Sequence, residues 1–108
     1  MKYDDLETKK CVPCEGEVAK ISLAEAERLL VGLVGWNMTG DRIEKAWEFK
    51  NFVAAMTFVN RVAELAEREG HHPDIVIHYN KVRFTLWTHA IGGLSLNDFI
   101  LAAKMNHL

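Results

Sequence analysis

The chain has 108 residues, 49% of them hydrophobic and 26% charged, with 13 Lys and Arg against 15 Asp and Glu for a formal net charge of -2. That length suits one domain with one modest core, and two prolines in such an apolar composition argue against long disorder. A dominant basic field for nucleic acid or anionic membrane is missing, and no apolar run approaches the roughly twenty residues of a bilayer span. The charged start Met1-Lys2-Tyr3-Asp4-Asp5 lacks an apolar signal core, so the expectation is a cytoplasmic chain with no direct nucleic-acid or membrane contact.

Residues 1–21 read as a polar lead-in carrying Cys11-Val12-Pro13-Cys14 and Glu15-Gly16-Glu17, and residues 22–108 as the folded domain. Ser22 with Glu25 forms a capping-box pattern for a first helix over 23–33, whose apolar stripe is Leu23, Ala26, Leu29, Leu30 and Leu33. A short strand around 35–41 and a second over 43–49 follow. From Asn51 the spacing of Phe52, Met56, Val59, Ala63 and Ala66 predicts the longest helix, stopped by Gly70. Ile75, Ile77 and Tyr79 alternate with Val76 and His78. A turn at Asn80-Lys81 then leads to Val82, Phe84, Leu86 and Thr88, with Arg83, Thr85, Trp87 and His89 on the other face, as in an antiparallel hairpin. Gly92-Gly93 permits a turn, and Ser95 with Asp98 opens a last helix that buries Leu96, Phe99, Ile100 and Ala103.

The sum is an α+β fold, α-β-β-α-β-β-α, with a single four-stranded antiparallel sheet and helices packed on one face. Phe49, Phe52, Met56 and Phe99 read as core, Trp47 and Trp87 as packing residues, and Lys81 and Arg83 as a solvated strand face. Two sheet edges and an uncovered face in so small a domain favour self-association as a homodimer or homotetramer.

Three of five histidines, His71, His72 and His89, flank the predicted hairpin and offer proton exchange near neutrality from two backbone elements. Pro73 pushes His72 toward an extended backbone. The three could in principle ligate zinc, but adjacent histidines converge only with strain and no cysteine pattern completes a site, so no metal is expected. His78 and His107 read as solvated or structural residues. The Cys11/Cys14 pair stays open between incidental thiols, a partial metal site and a redox pair, because no second Cys-x-x-Cys or thioredoxin-like setting accompanies it. Asn37-Met38-Thr39 formally fits a glycosylation acceptor, which has no use without secretion.

Taken in order, Gly35-Trp36, Trp47-Glu48-Phe49-Lys50-Asn51-Phe52, His71-His72-Pro73-Asp74, Tyr79-Asn80-Lys81-Val82, Thr88-His89, Gly92-Gly93-Leu94-Ser95 and Asp98 resemble the pterin-4a-carbinolamine dehydratase family over about residues 22–106. The resemblance implies a hydro-lyase that removes water from 4a-hydroxytetrahydropterin to give quinonoid dihydropterin, without a cofactor. It carries the family's three active-site histidines onto His71, His72 and His89, puts Trp36 at a position associated with the pterin pocket, and puts Asp74 where an acid orients a histidine or the substrate. Trp36 otherwise reads as core or subunit interface. Dimers and tetramers, tetrahydropterin recycling beside an aromatic amino-acid hydroxylase and, in some animal members, a transcription-factor partner are further family properties. Two departures touch pterin packing: Ile75 stands where the family often has an aromatic residue, and Trp87 stands at a variable position. Asp98 is accounted for by stabilisation of the last helix.

Overall fold

A computed structural model describes residues 6–11 and 19–108. Its elements are α1 (Leu23–Leu30), β1 (Asn37–Thr39), β2 (Arg42–Glu48), α2 (Phe52–Glu69), β3 (Asp74–His78), β4 (Lys81–Leu86) and α3 (Leu96–Met105), with 3-10 turns at Leu6–Thr8 and His89–Ile91. The strands form one antiparallel sheet in the order β1-β2-β4-β3. This is the expected α-β-β-α-β-β-α architecture.

Each helix begins where a side chain satisfies a free backbone N–H. Ser22 Oγ accepts from the Glu25 amide at 3.2 Å, and Asn51 Oδ1 from the Ala54 amide at 2.8 Å. The first helix ends at Leu30, short of the expected 33. Leu33 nevertheless stays buried, in the turn that follows. Helix α2 stops at Gly70, whose φ of 68° is the left-handed conformation that costs glycine least.

The buried stripe of α2 is Ala55, Phe58, Val59, Val62, Leu65, Ala66 and Glu69; it keeps the expected Val59 and Ala66, and the expected Met56 packs partly buried against the core. Phe52 and Ala63 lie exposed. Apolar residues run unbroken from Phe52 to Met56 at the start of this helix, so periodicity leaves the edges of the stripe open, and packing on the sheet and α3 sets them. Alternation in β4 is cleaner: Val82, Phe84 and Leu86 are buried beside Ile43 of β2, while Lys81, Arg83 and Thr85 face away from the helices. Trp47, Phe58 and Phe84 meet with ring centroids 5.0–5.9 Å apart.

The β3–β4 turn falls one residue earlier than expected, at Tyr79-Asn80, because His78 pairs with Lys81. Tyr79 takes φ 55°, and Asn80 anchors the turn by donating Nδ2–H to Phe49 O at 2.8 Å and accepting the Phe49 N–H at 2.8 Å.

The start of the chain takes part in the fold. Leu6 and Cys11 are buried in the hydrophobic core, and the Leu6–Thr8 turn packs on α3. The Cys11 N–H donates to Glu69 Oε1 at 2.8 Å, its thiol to Asn97 O at 3.5 Å, and Lys10 Nζ to Arg68 O at 2.9 Å. This strap ties the end of α2 to the start of α3. Cys14 and Glu15-Gly16-Glu17 lie outside the described residues. No helix among the described residues is long and apolar enough to cross a membrane.

Candidate active site

The left-handed Gly70 reverses the chain as α2 ends, and the amides of Gly70 and His71 both donate to Ala66 O, at 2.9 and 3.2 Å. Pro73 then holds His72 extended before β3 begins. The two adjacent imidazoles therefore part company: the His71 side chain is 6% exposed and that of His72 60%.

His71 turns inward to Asp98. Its Nε2 lies 2.5 Å from Asp98 Oδ1, and because an ionised carboxylate only accepts, Nε2 carries the hydrogen. The other carboxylate oxygen, Oδ2, accepts from the Thr88 hydroxyl at 2.8 Å and the Ser95 N–H at 3.0 Å. Thr88 has one hydroxyl hydrogen and gives it to Asp98, so at 2.7 Å the Ser95 hydroxyl donates to Thr88. Asp98, Thr88 and Ser95 are each fully buried. Asp98 thus stabilises the last helix, as its sequence position suggests, and with its other oxygen fixes the orientation of His71. Helix-cap reasoning finds only the first of these functions.

His72 donates Nε2–H to Glu67 Oε2 at 2.6 Å. Both side chains are exposed, so the pair contributes about 0–1 kcal/mol to stability, and its effect is to orient the imidazole. Glu67 was not expected; its signal was a carboxylate one helical turn ahead of the histidines.

His89 opens the 3-10 turn His89–Ile91, which Gly92 ends in a left-handed conformation. Its ring lies 4.1 Å from that of Trp87. Gly70, His71, His72, Trp87, His89 and Ala90 line a cavity of about 300 Å3. The three expected histidines therefore meet at one cavity, with Trp87 as an unexpected wall. Asp74 stands beside it, accepting the Trp87 Nε1–H on Oδ2 at 3.2 Å.

Trp36 is placed elsewhere. It is 4% exposed, donates Nε1–H to Asn106 Oδ1 at 3.1 Å and meets the edge of Trp47 at 6.0 Å. Asn106 Oδ1 also accepts from Lys45 Nζ at 2.8 Å, and burial lowers the pKa of this ammonium. Of the two readings of Trp36, the geometry is that of a core residue joining the end of α3 to the sheet. A larger depression of about 570 Å3, lined by Ile21, Leu23, Asp41 and Leu94 among others, holds no histidine. Among the described residues no three His, Cys, Asp or Glu side chains are grouped to hold a metal ion.

Behind His71, burial would raise the Glu69 carboxyl, but hydrogen bonds from Lys104 Nζ, at 2.7 Å, and the Cys11 amide outweigh it and hold the group below its ordinary value. Burial, with the Glu69 charge next, pushes the Cys11 thiol up from 9.0 to about 12. Because folding raises this pKa, its contribution to stability is complete below about pH 9 and declines as pH rises toward 12. In a Cys14→Ser variant at pH 8, iodoacetamide should label Cys11 about 10²-fold or more slowly in the native protein than in urea. Equal rates, read by mass spectrometry, would contradict this account of the strap.

A family model described as pterin 4 alpha carbinolamine dehydratase matches residues 19–108. The chain is 52% identical over 105 residues to a Nitrosospira multiformis protein named for that family, covering 97% of this chain and 93% of the relative. It is 46% identical over 110 residues to Arabidopsis thaliana pterin-4-alpha-carbinolamine dehydratase 2, a mitochondrial protein, covering 96% of this chain and 59% of that one. The crystal structure of a transcriptional coactivator/pterin dehydratase from Brucella melitensis superposes with a TM-score of 0.79 at 33% identity, covering 82% of this chain and 97% of that one. Fold and sequence agree, and the chain belongs to the pterin 4 alpha carbinolamine dehydratase family.

Proposed function

We propose that this chain is a dehydratase that eliminates water from 4a-hydroxytetrahydropterin to give quinonoid dihydropterin, using histidines as its acids and bases. The observation that carries the reading is the convergence of His71, His72 and His89 on one cavity, with His71 held by a buried carboxylate. A carbinolamine bears its hydroxyl next to a ring nitrogen. Elimination delivers one proton to the departing hydroxyl and removes one from that nitrogen, so protons alone move and no redox cofactor is required.

His72 is the principal acid/base group in this reading. It is open to the cavity and to solvent, and Glu67 fixes one ring nitrogen, which aims the other. His71 and His89 position the hydroxyl and relay protons. Asp74 acts from beside the cavity, and Trp36 takes no part. The same reading makes the enzyme a cytoplasmic homo-oligomer that serves tetrahydropterin recycling beside an aromatic amino-acid hydroxylase. Support for self-association comes from edge strand β3, exposed along its whole length with Ile75, Val76 and Ile77 each more than a third accessible.

The test is dehydration of freshly generated 4a-hydroxytetrahydropterin, followed by absorbance. The wild type should exceed the uncatalysed rate, and His72→Ala and His89→Ala should each lower kcat by about 10²- to 10⁴-fold while keeping their circular dichroism. A wild type at background rate would sink the dehydratase reading, and folded variants as active as the wild type would sink the histidine assignment.

A further inference from the structure

Trp87 follows the last residue of β4, on the sheet face that the helices leave open. The register Ile43↔Leu86 carries one step further to put Arg42 of β2 across from it, and Asp74 of β3, paired with Thr85, sits diagonally on the same face. All three side chains use that placement. The Arg42 guanidinium lies 4.0 Å from the centroid of a Trp87 ring, within cation–π range, and the indole N–H is bonded to Asp74. The indole is therefore held from both neighbouring strands.

What it holds is His89. Their ring centroids are 4.1 Å apart with 32° between planes, a tilted stack, and His89 starts a three-residue turn in which Thr88 makes no side-chain cap. The backbone of His89 is closed by the Gly92 N–H donating to His89 O at 3.2 Å, but its side chain is exposed, so what is left to fix is the imidazole. His71 has Asp98 and His72 has Glu67 as an orienting partner. His89 has the Trp87 indole.

We propose that Trp87 is a positioning residue for the dehydration, acting through His89 and itself fixed by Asp74 and Arg42. This rests on the dehydratase reading above. Catalysis is sensitive to small displacements of a proton-transferring group, so loosening the imidazole lowers turnover while leaving substrate affinity largely alone. Asp74 on this view serves the site by way of Trp87.

The test is a double-mutant cycle between Trp87 and His89 in the dehydration assay. Trp87→Thr keeps a residue suited to a strand end, and Trp87→Phe keeps a ring for the stack while giving up the bond to Asp74. Trp87→Thr should lower kcat about tenfold with KM changed less than about twofold, and Trp87→Phe should recover most of that loss. In the His89→Ala background, Trp87→Thr should have less than about a twofold further effect, because the group it positions is gone. The same tenfold loss in both backgrounds, or a rise in KM at unchanged kcat, would overturn the proposal. So would a folded Trp87→Thr enzyme that turns over like the wild type, and that result would leave the dehydratase reading intact. A wild type without activity removes both.

Discussion

Asp98→Asn is expected to lower the melting temperature by roughly 10–25 °C and dehydration turnover by about 10²-fold or more. The carboxylate is fully buried and accepts three hydrogen bonds, from His71 on one oxygen and from Thr88 and Ser95 on the other. An amide of the same shape has one acceptor oxygen and one donor nitrogen. With its oxygen toward His71, it turns an N–H₂ group on two existing donors and loses the helix cap. With its oxygen toward Thr88 and Ser95, it opposes its N–H₂ group to the His71 Nε2–H and forces the other tautomer. A buried donor left unsatisfied costs about 1–3 kcal/mol and a lost cap about 0.5–2, hence the expected fall at about 4–8 °C per kcal/mol for a domain of this size. Thermal unfolding followed by circular dichroism, with turnover measured on the same samples, checks both parts. A melting temperature within a few degrees of the wild type would contradict the network.

The second large effect separates two phenylalanines that the sequence treats alike. Phe99 is fully buried in α3, a helix enclosed on almost every side, with Asp98 to Ala103 all buried. Phe99→Ala should destabilise by about 3–5 kcal/mol through lost contacts and the cavity left behind. Phe52 occupies the first turn of α2 and is 48% exposed. Phe52→Ala should cost less than about 1 kcal/mol, as surface changes usually do. Urea denaturation of both variants at one pH gives the comparison, and equal losses would show that the stripe of α2 has been assigned the wrong phase.

That contrast indicates what a sequence discloses about this fold. Element order and sheet class were legible because alternation in β4 and the caps at Ser22, Asn51 and Gly70 each admit one local answer. The edges of the α2 stripe were hidden because apolar residues at its start spread beyond one face, and contact with β4 and α3 selects Phe58 and Val62 over Phe52 and Ala63. Among the residues that line the histidine cavity, His71, His72 and His89 could be named from type and position. Their partners could not. Asp98 already had a local explanation as a cap, Glu67 looked like one more charge on an exposed helix face, and Trp87 meets Arg42 and Asp74 only through strand register. Trp36 kept two readings, because an aromatic residue in a suggestive motif says nothing of the Asn106 to which its indole N–H is bonded 70 residues later.

The strap at the start of the chain bears on how the protein is made. Cys11 bonds to Glu69 and Asn97, 58 and 86 residues further on, and Glu69 is itself held by Lys104. Synthesis runs from the amino end, so Cys11 leaves the ribosome well before its partners Glu69 and Asn97. Contacts so distant along the chain also carry the largest loop-closure entropy and form late. The hairpins and α2 can assemble beforehand, whereas the partner that orients His71 sits on α3, the same late helix the strap must find. The His71–Asp98 contact and closure of the amino-terminal segment thus both wait on the docking of α3.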